Sequence, residues 1–135
     1  DAAPQRAVVD LAALLARLPT ATLAVEVEPA AQIEADPDLL AAALGNLLDN
    51  AQRHGAHQVW ISLPAPQCLR CSDDGPGVTP AQREVLLQAL ARQDYESGMG
   101  LGLMLADRVA RAHGGRLELP AVEQGFAVEL DLRMS

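Results

Sequence analysis

Apolar residues recur along this chain at two spacings, and each switch between them marks a new element. Val8, Leu11, Leu15 and Leu18 follow helical spacing, which predicts a first helix closed by Pro19. Leu23, Val25 and Val27 then alternate with small or polar residues as a half-buried strand does, and a shorter strand is expected over Gln32–Ala35. The next helix has a marked start. Asp36 can cap it, Pro37 suits its first position, and Asp38 places favourable charge in its first turn. Leu40, Leu44, Leu47, Leu48 and Ala51 give it one apolar face, and Gly55 ends it.

Val59, Ile61 and Leu63 alternate again before a turn at Pro64 and Pro66, and residues 68–72 form a further strand. Thr79, Pro80 and Gln82 mark a helix start with a capping box, and Val85, Leu86, Ala89 and Leu90 supply its apolar side. A last helix carries Leu103, Ala106, Val109 and Ala110 and stops at Gly114-Gly115. Two strands close the chain, one with Leu117 and Leu119, the other with Phe126, Val128, Leu130 and Leu132. Strands outnumber helices and several are hairpin neighbours. The expected fold class is α/β, a two-layer sandwich whose mixed, mostly antiparallel sheet carries helices on one face.

With 135 residues, 50% hydrophobic and 21% charged, the chain reads as one globular domain spanning 1–135. A formal net charge of −8 argues against nucleic-acid partners and direct contact with an anionic membrane, and any phosphate site must rest on local groups. No apolar run approaches the ~20 residues of a membrane span. Opening on Asp1 rather than Met, the chain reads as an excised piece of something larger. Cys68 and Cys71 form a C-x-x-C, but a strand would part their Cα atoms by ~10 Å, beyond the ~7 Å reach of a disulfide. No second Cys/His pair stands at zinc spacing, so two free, buried or half-buried thiols are expected.

Three stretches carry candidate chemistry. In residues 46–55, NLLDNAQRHG, the side chains of Asn46, Asn50 and Arg53 share a stripe apart from the apolar face. An asparagine carbonyl is a hard oxygen ligand suited to Mg²⁺, and arginine suits phosphate; a solvated polar face is the plainer alternative. Asp73-Asp74-Gly75-Pro76-Gly77 ends a strand, where a carboxylate can accept from the exocyclic amine of adenine and glycines admit a ligand closely; a plain turn has the same composition. Gly98-Met99-Gly100-Leu101-Gly102-Leu103 opens into a helix, and unhindered N–H groups there form an anion site.

In this order, the three stretches resemble the nucleotide-binding boxes of the catalytic ATP-binding domain of bacterial sensor histidine kinases, in the wider GHKL superfamily. The resemblance runs from about Asp36 to the C-terminus and includes Ala112-His113-Gly114-Gly115. It implies the Bergerat-type sandwich, ATP and Mg²⁺ as cofactors, and γ-phosphoryl donation to a histidine on an adjoining dimerisation domain that serves a response regulator. By position, the resemblance gives Asn50 as the Mg²⁺ ligand, Asn46 as a phosphate or metal-shell neighbour, and Arg53 as a phosphate contact. His54 stands near adenine or ribose, although a solvated helix-end histidine fits equally. Asp73 binds the adenine amine, with Gly75, Gly77 and Val78 shaping that pocket. Gly98, Met99, Gly100, Leu101, Gly102 and Leu103 hold phosphates and anchor the lid, to which Arg92 adds a cation.

ATP-hydrolysing relatives carry a glutamate where this chain has Asn46, which cannot act as a general base near neutral pH. The kinase reading is therefore favoured over a hydrolase. Met99 in place of Ser or Thr, a phenylalanine-poor helix at residues 85–90 and a short lid motivate the other alternative, a non-catalytic nucleotide-sensing or scaffold module. None of the three histidines sits in a phosphoacceptor context. His113 reads as a structural helix-end residue, Arg108 and Arg111 as solvated helix charges, and Tyr95 as a base cover or an exposed tyrosine. The parent protein is expected in the bacterial inner membrane with this domain in the cytoplasm.

Overall fold

The computed structural model describes residues 3–20, 22–95 and 103–133. In chain order the elements are β1 (Ala7–Asp10), α1 (Leu11–Ala16), β2 (Ala24–Val27), β3 (Gln32–Ala35), α2 (Pro37–Arg53), β4 (Gln58–Ala65), β5 (Cys68–Asp73), α3 (Pro80–Arg92), α4 (Met104–Ala112), β6 (Arg116–Glu118) and β7 (Phe126–Asp131). Five strands form one sheet in the order β2-β4-β5-β7-β6, and β1 and β3 pair as a small antiparallel sheet. Within the larger sheet β2 runs parallel to β4, while the other pairings are antiparallel. The mixed, mostly antiparallel α/β arrangement expected from patterning is the one observed.

Alternation decides which sheet face meets the helices. Val59 and Ile61 of β4, Leu69 and Cys71 of β5, and Val128 and Leu130 of β7 are buried. They share one core with Leu40, Leu44, Leu47 and Leu48 of α2 and with Ala106, Val109 and Ala110 of α4. Each fully buried leucine contributes roughly 2 kcal/mol of transfer free energy. The opposite face carries Trp60, Arg70 and Glu129, the last two joined as an ion pair at 2.5 Å.

The first helix differs from expectation. Residues 7–10 form β1, paired in register with β3, and the helix begins only at Leu11, where the Asp10 side chain caps it by accepting from Ala13 N–H. Val8 fits the helical spacing of Leu11 and Leu15 but lies 64% exposed. Strand pairing with a segment more than twenty residues away overrides that local period. Similarly, β4 runs through Pro64 to Ala65 with a register shift, so the turn falls at Pro66-Gln67 rather than at Pro64. Gln67, at φ +60, clips the two sheets together. Its side chain accepts from Glu34 N–H (2.8 Å) and donates to the carbonyls of Glu34 (2.8 Å) and Leu132 (3.0 Å).

The start of α2 is fixed. Asp36 accepts from Asp38 N–H and Leu39 N–H at the cap, and its backbone N–H donates to Nε2 of His113 at 3.0 Å. His113 is fully buried, with Nδ1 2.8 Å from the Val109 carbonyl. This fixes its neutral tautomer, with Nδ1 the donor, and fastens the end of α4 to the start of α2. The expected structural role for His113 is met.

Candidate nucleotide-binding site

A cavity opens beside the C-terminal half of α2. It is lined by Asn50, Ala51, His54, Asp73, Gly75, Pro76, Gly77, Val78, Leu86, Leu103 and Phe126. Seven of the residues singled out in the sequence therefore meet here: Asn50 and His54 from α2, Asp73 from the end of β5, Gly75, Gly77 and Val78 from the loop after it, and Leu103 at the N-cap of α4.

Geometry separates the two adjacent aspartates. Asp74 is consumed structurally, its Oδ1 accepting from His57 N–H (2.8 Å) and Gln58 N–H (2.9 Å). The Gln58 and His57 bonds hold its carboxyl below the usual range. Asp73 instead falls on the inward-facing register of β5 with Leu69 and Cys71. Its Oδ1 accepts from Gly75 N–H at 2.8 Å. Burial raises its pKa, the Gly75 bond opposing and the charge of Asp74 adding to the rise. A half-buried carboxylate in an apolar wall is suited to accept from a planar amine and is poorly suited to phosphate.

Asn46 sits one turn before Asn50 and is not part of the lining, but its Oδ1 is buried without a hydrogen-bond partner among the described residues. Such an orphan acceptor is costly. Two amide oxygens on adjacent turns, one of them unsatisfied, form a donor set that fits a hard divalent cation such as Mg²⁺. Arg53 is not brought to the cavity: it is 76% exposed and pairs with Asp49 at 3.0 Å. Arg92, in the last turn of α3, is likewise exposed and outside the lining. Gly98, Met99, Gly100, Leu101 and Gly102 lie outside the described residues.

The apolar walls of the cavity carry no motif in the sequence. Ala51 and Leu86 stood out only as core-facing helix positions, Pro76 only as a turn stiffener, and Phe126, the one phenylalanine of the chain, only as a strand residue. Two further expectations are corrected. Tyr95 is neither exposed nor over the cavity: it is 5% exposed, and its hydroxyl donates to Oδ2 of the fully buried Asp107 at 2.5 Å. Arg111 is not a solvated charge, because Nε pairs with the same Asp107 oxygen at 2.9 Å and Nη2 donates to the Leu90 carbonyl at 2.8 Å. Arg108 lies over the Tyr95 ring, 5.4 Å from its centroid. Both thiols are free as expected, Cys71 buried and Cys68 half-buried.

The family model described as "Histidine kinase-, DNA gyrase B-, and HSP90-like ATPase" matches residues 35–135. The sensor protein kinase CarS of Pseudomonas aeruginosa is 39% identical over 114 residues, covering 79% of this chain and 26% of its own length. The sensor protein PfeS of the same organism is 36% identical over 106 residues, covering 73% of this chain and 24% of its own. The chain thus spans about a quarter of these curated relatives. Among solved structures, the ATP binding domain of PrrB from Mycobacterium tuberculosis superposes with TM-score 0.68 at 26% identity, covering 96% of this chain and 98% of that one. The histidine kinase domain of the E. coli osmosensor EnvZ gives 0.66 at 27% identity, covering 100% and 92%. The chain belongs to the histidine kinase-, DNA gyrase B- and HSP90-like ATPase family.

Proposed function

We propose that residues 1–135 form a single catalytic domain that binds Mg·ATP and donates its γ-phosphoryl group to a histidine of an adjoining dimerisation domain. The observation that carries this reading is the half-buried Asp73 carboxylate in an apolar cavity that also presents Asn50. Asp73 accepts from the adenine amine, a donor that guanine lacks at that position. Phe126, Val78, Leu86 and Ala51 exclude water from the base, and Gly75 and Gly77 admit it closely. His54, at the α2 C-cap and in the cavity lining, would lie near the adenine or ribose. Asn50 would hold Mg²⁺ with Asn46 behind it, and the ion supplies neutralisation of charge on the phosphates. The glycines at 98, 100 and 102, with Met99, Leu101 and Leu103, hold the phosphates.

Asn46 offers no general base, so phosphoryl transfer rests on positioning and electrostatics, and the nucleophile comes from outside the chain. The acceptor then passes the phosphoryl group to a cognate response regulator. The parent protein is a bacterial inner-membrane sensor with this domain in the cytoplasm, a placement supported by its likeness to sensor kinases. No helix of the described residues is long and apolar enough to cross a membrane.

The test mixes the domain with a separately produced dimerisation domain of its parent protein and γ-labelled ATP. Acid-labile label on the acceptor histidine is the expected result. Steady phosphate release without an acceptor would instead support a hydrolase, and binding without transfer a nucleotide-sensing module.

A further inference from the structure

A backbone contact behind Asp73, which no motif in the sequence signalled, bears on how the site chooses its base. The bend before β7 brings Gly125, at φ +72, flat against the end of β5. A Cβ at this position would overlap the carbonyl oxygen of Asp73, stand 3.0 Å from its carbonyl carbon and 3.5 Å from Cα of Asp74. The packing is reciprocal on the loop side: a Cβ on Gly77, itself at φ +74, would overlap the Gly125 carbonyl oxygen and stand 3.2 Å from its carbon. The obstructing atoms on both sides are backbone, so no side-chain rotamer can relieve the overlap. The next residue, Phe126, pairs with Asp73 across the β5–β7 register and lines the cavity.

We propose that Gly125 is a positioning residue for nucleotide selectivity: by admitting the β7 bend against the Asp73 peptide, it sets the depth at which the Asp73 carboxylate meets the base. The inference rests on the nucleotide-binding reading above and adds a determinant outside the three sequence boxes. Any side chain at 125 lifts either the bend or the Asp73 peptide. The carboxylate then leaves the plane of an exocyclic amine, while the Asn50 end of the site, on a separate helix, is undisturbed.

The test compares Mg·ATP with Mg·inosine triphosphate, which carries a carbonyl oxygen where ATP has its amine, by calorimetry on the unaltered domain and on Gly125→Ala. The unaltered domain is expected to prefer ATP. Gly125→Ala is expected to lose about tenfold or more of its ATP affinity, the worth of one well-made hydrogen bond, while inosine triphosphate binding stays within about twofold. An unchanged ATP affinity, or equal weakening of both nucleotides as a general structural defect would give, overturns the proposal. If the unaltered domain binds neither nucleotide, the nucleotide-site reading itself fails and takes this one with it, an outcome distinct from the others. Should Gly125→Ala not fold, amide exchange in the unaltered domain reads the same coupling. ATP is expected to slow exchange at Phe126 at least about threefold more than inosine triphosphate does, and equal protection overturns the proposal.

Discussion

Replacing Tyr95 by Phe removes one oxygen and no packing, so it isolates the hydrogen bond to Asp107. That carboxylate is fully buried; Oδ2 accepts from the Tyr95 hydroxyl at 2.5 Å and from Arg111 Nε at 2.9 Å, and Oδ1 is buried without a partner among the described residues. A carboxylate already short of partners cannot recover the lost donor from water. A hydrogen bond to a charged group is worth about 1.5–3 kcal/mol, so Tyr95→Phe is expected to cost about 2 kcal/mol. For a domain of this size that corresponds to roughly 6–8 °C in Tm. Urea unfolding at pH 7 reads the loss as a lower midpoint at constant slope. Arg108→Ala is the internal contrast: it deletes only the cation stacked on the same ring, 5.4 Å away, and is expected to cost about 0.5 kcal/mol. A Tyr95→Phe loss below about 0.5 kcal/mol, within the range of ordinary surface substitutions, would refute the buried cluster and restore an exposed tyrosine.

Gln67→Ala removes all three hydrogen bonds of the clip between the sheets while keeping the strained φ of +60. Because Glu34 is exposed and water can replace part of the loss, about 1–3 kcal/mol of destabilisation is expected by urea unfolding. Burial pushes the Cys68 thiol up to about 11, with Glu129 adding to the rise, and pushes the Cys71 thiol up to about 12. At pH 8 only about 0.1% and 0.01% of these groups would be thiolate, the reactive form. A disulfide reagent should therefore modify both slowly in the native domain and rapidly in urea, and fast native labelling would contradict the burial. Asp73 binds its proton more readily folded than unfolded, so its charge opposes folding as pH rises through the raised folded value. Asp73→Asn should thus raise the urea midpoint of the nucleotide-free domain at pH 7 while abolishing ATP binding. For the same reason, ATP affinity in the unaltered domain should begin to fall at a higher pH than an ordinary aspartate at 3.8 would impose.

Signals confined to a few adjacent residues were readable from the chain. The Asp36 cap, the Thr79–Gln82 capping box and the bounds of β3 are all found as expected, because each is set by chemistry within one turn or one strand. Cavity residues on the glycine box and the α2 stripe were legible for the same reason. What escaped depends on partners distant in sequence. Val8 fits a helix until β3 arrives to pair with its segment; Tyr95 looks exposed until Asp107, twelve residues on, is folded beneath it. Arg53 shares the Asn46–Asn50 stripe by spacing, yet its nearest carboxylate, Asp49, holds it outward. Gly125 has no motif at all, since the need for glycine there arises from a strand more than fifty residues earlier.

Asp73 and Asn50 are proposed as the two poles of one Mg·ATP site. Calorimetric titration of the domain with ATP and with GTP, each with and without Mg²⁺, tests it most directly when repeated on Asp73→Ala and Asn50→Ala. Mg²⁺-dependent binding of ATP, far weaker binding of GTP, and loss of the ATP signal in both variants are expected. ATP binding unaltered by either substitution, or equal affinity for GTP, would contradict it.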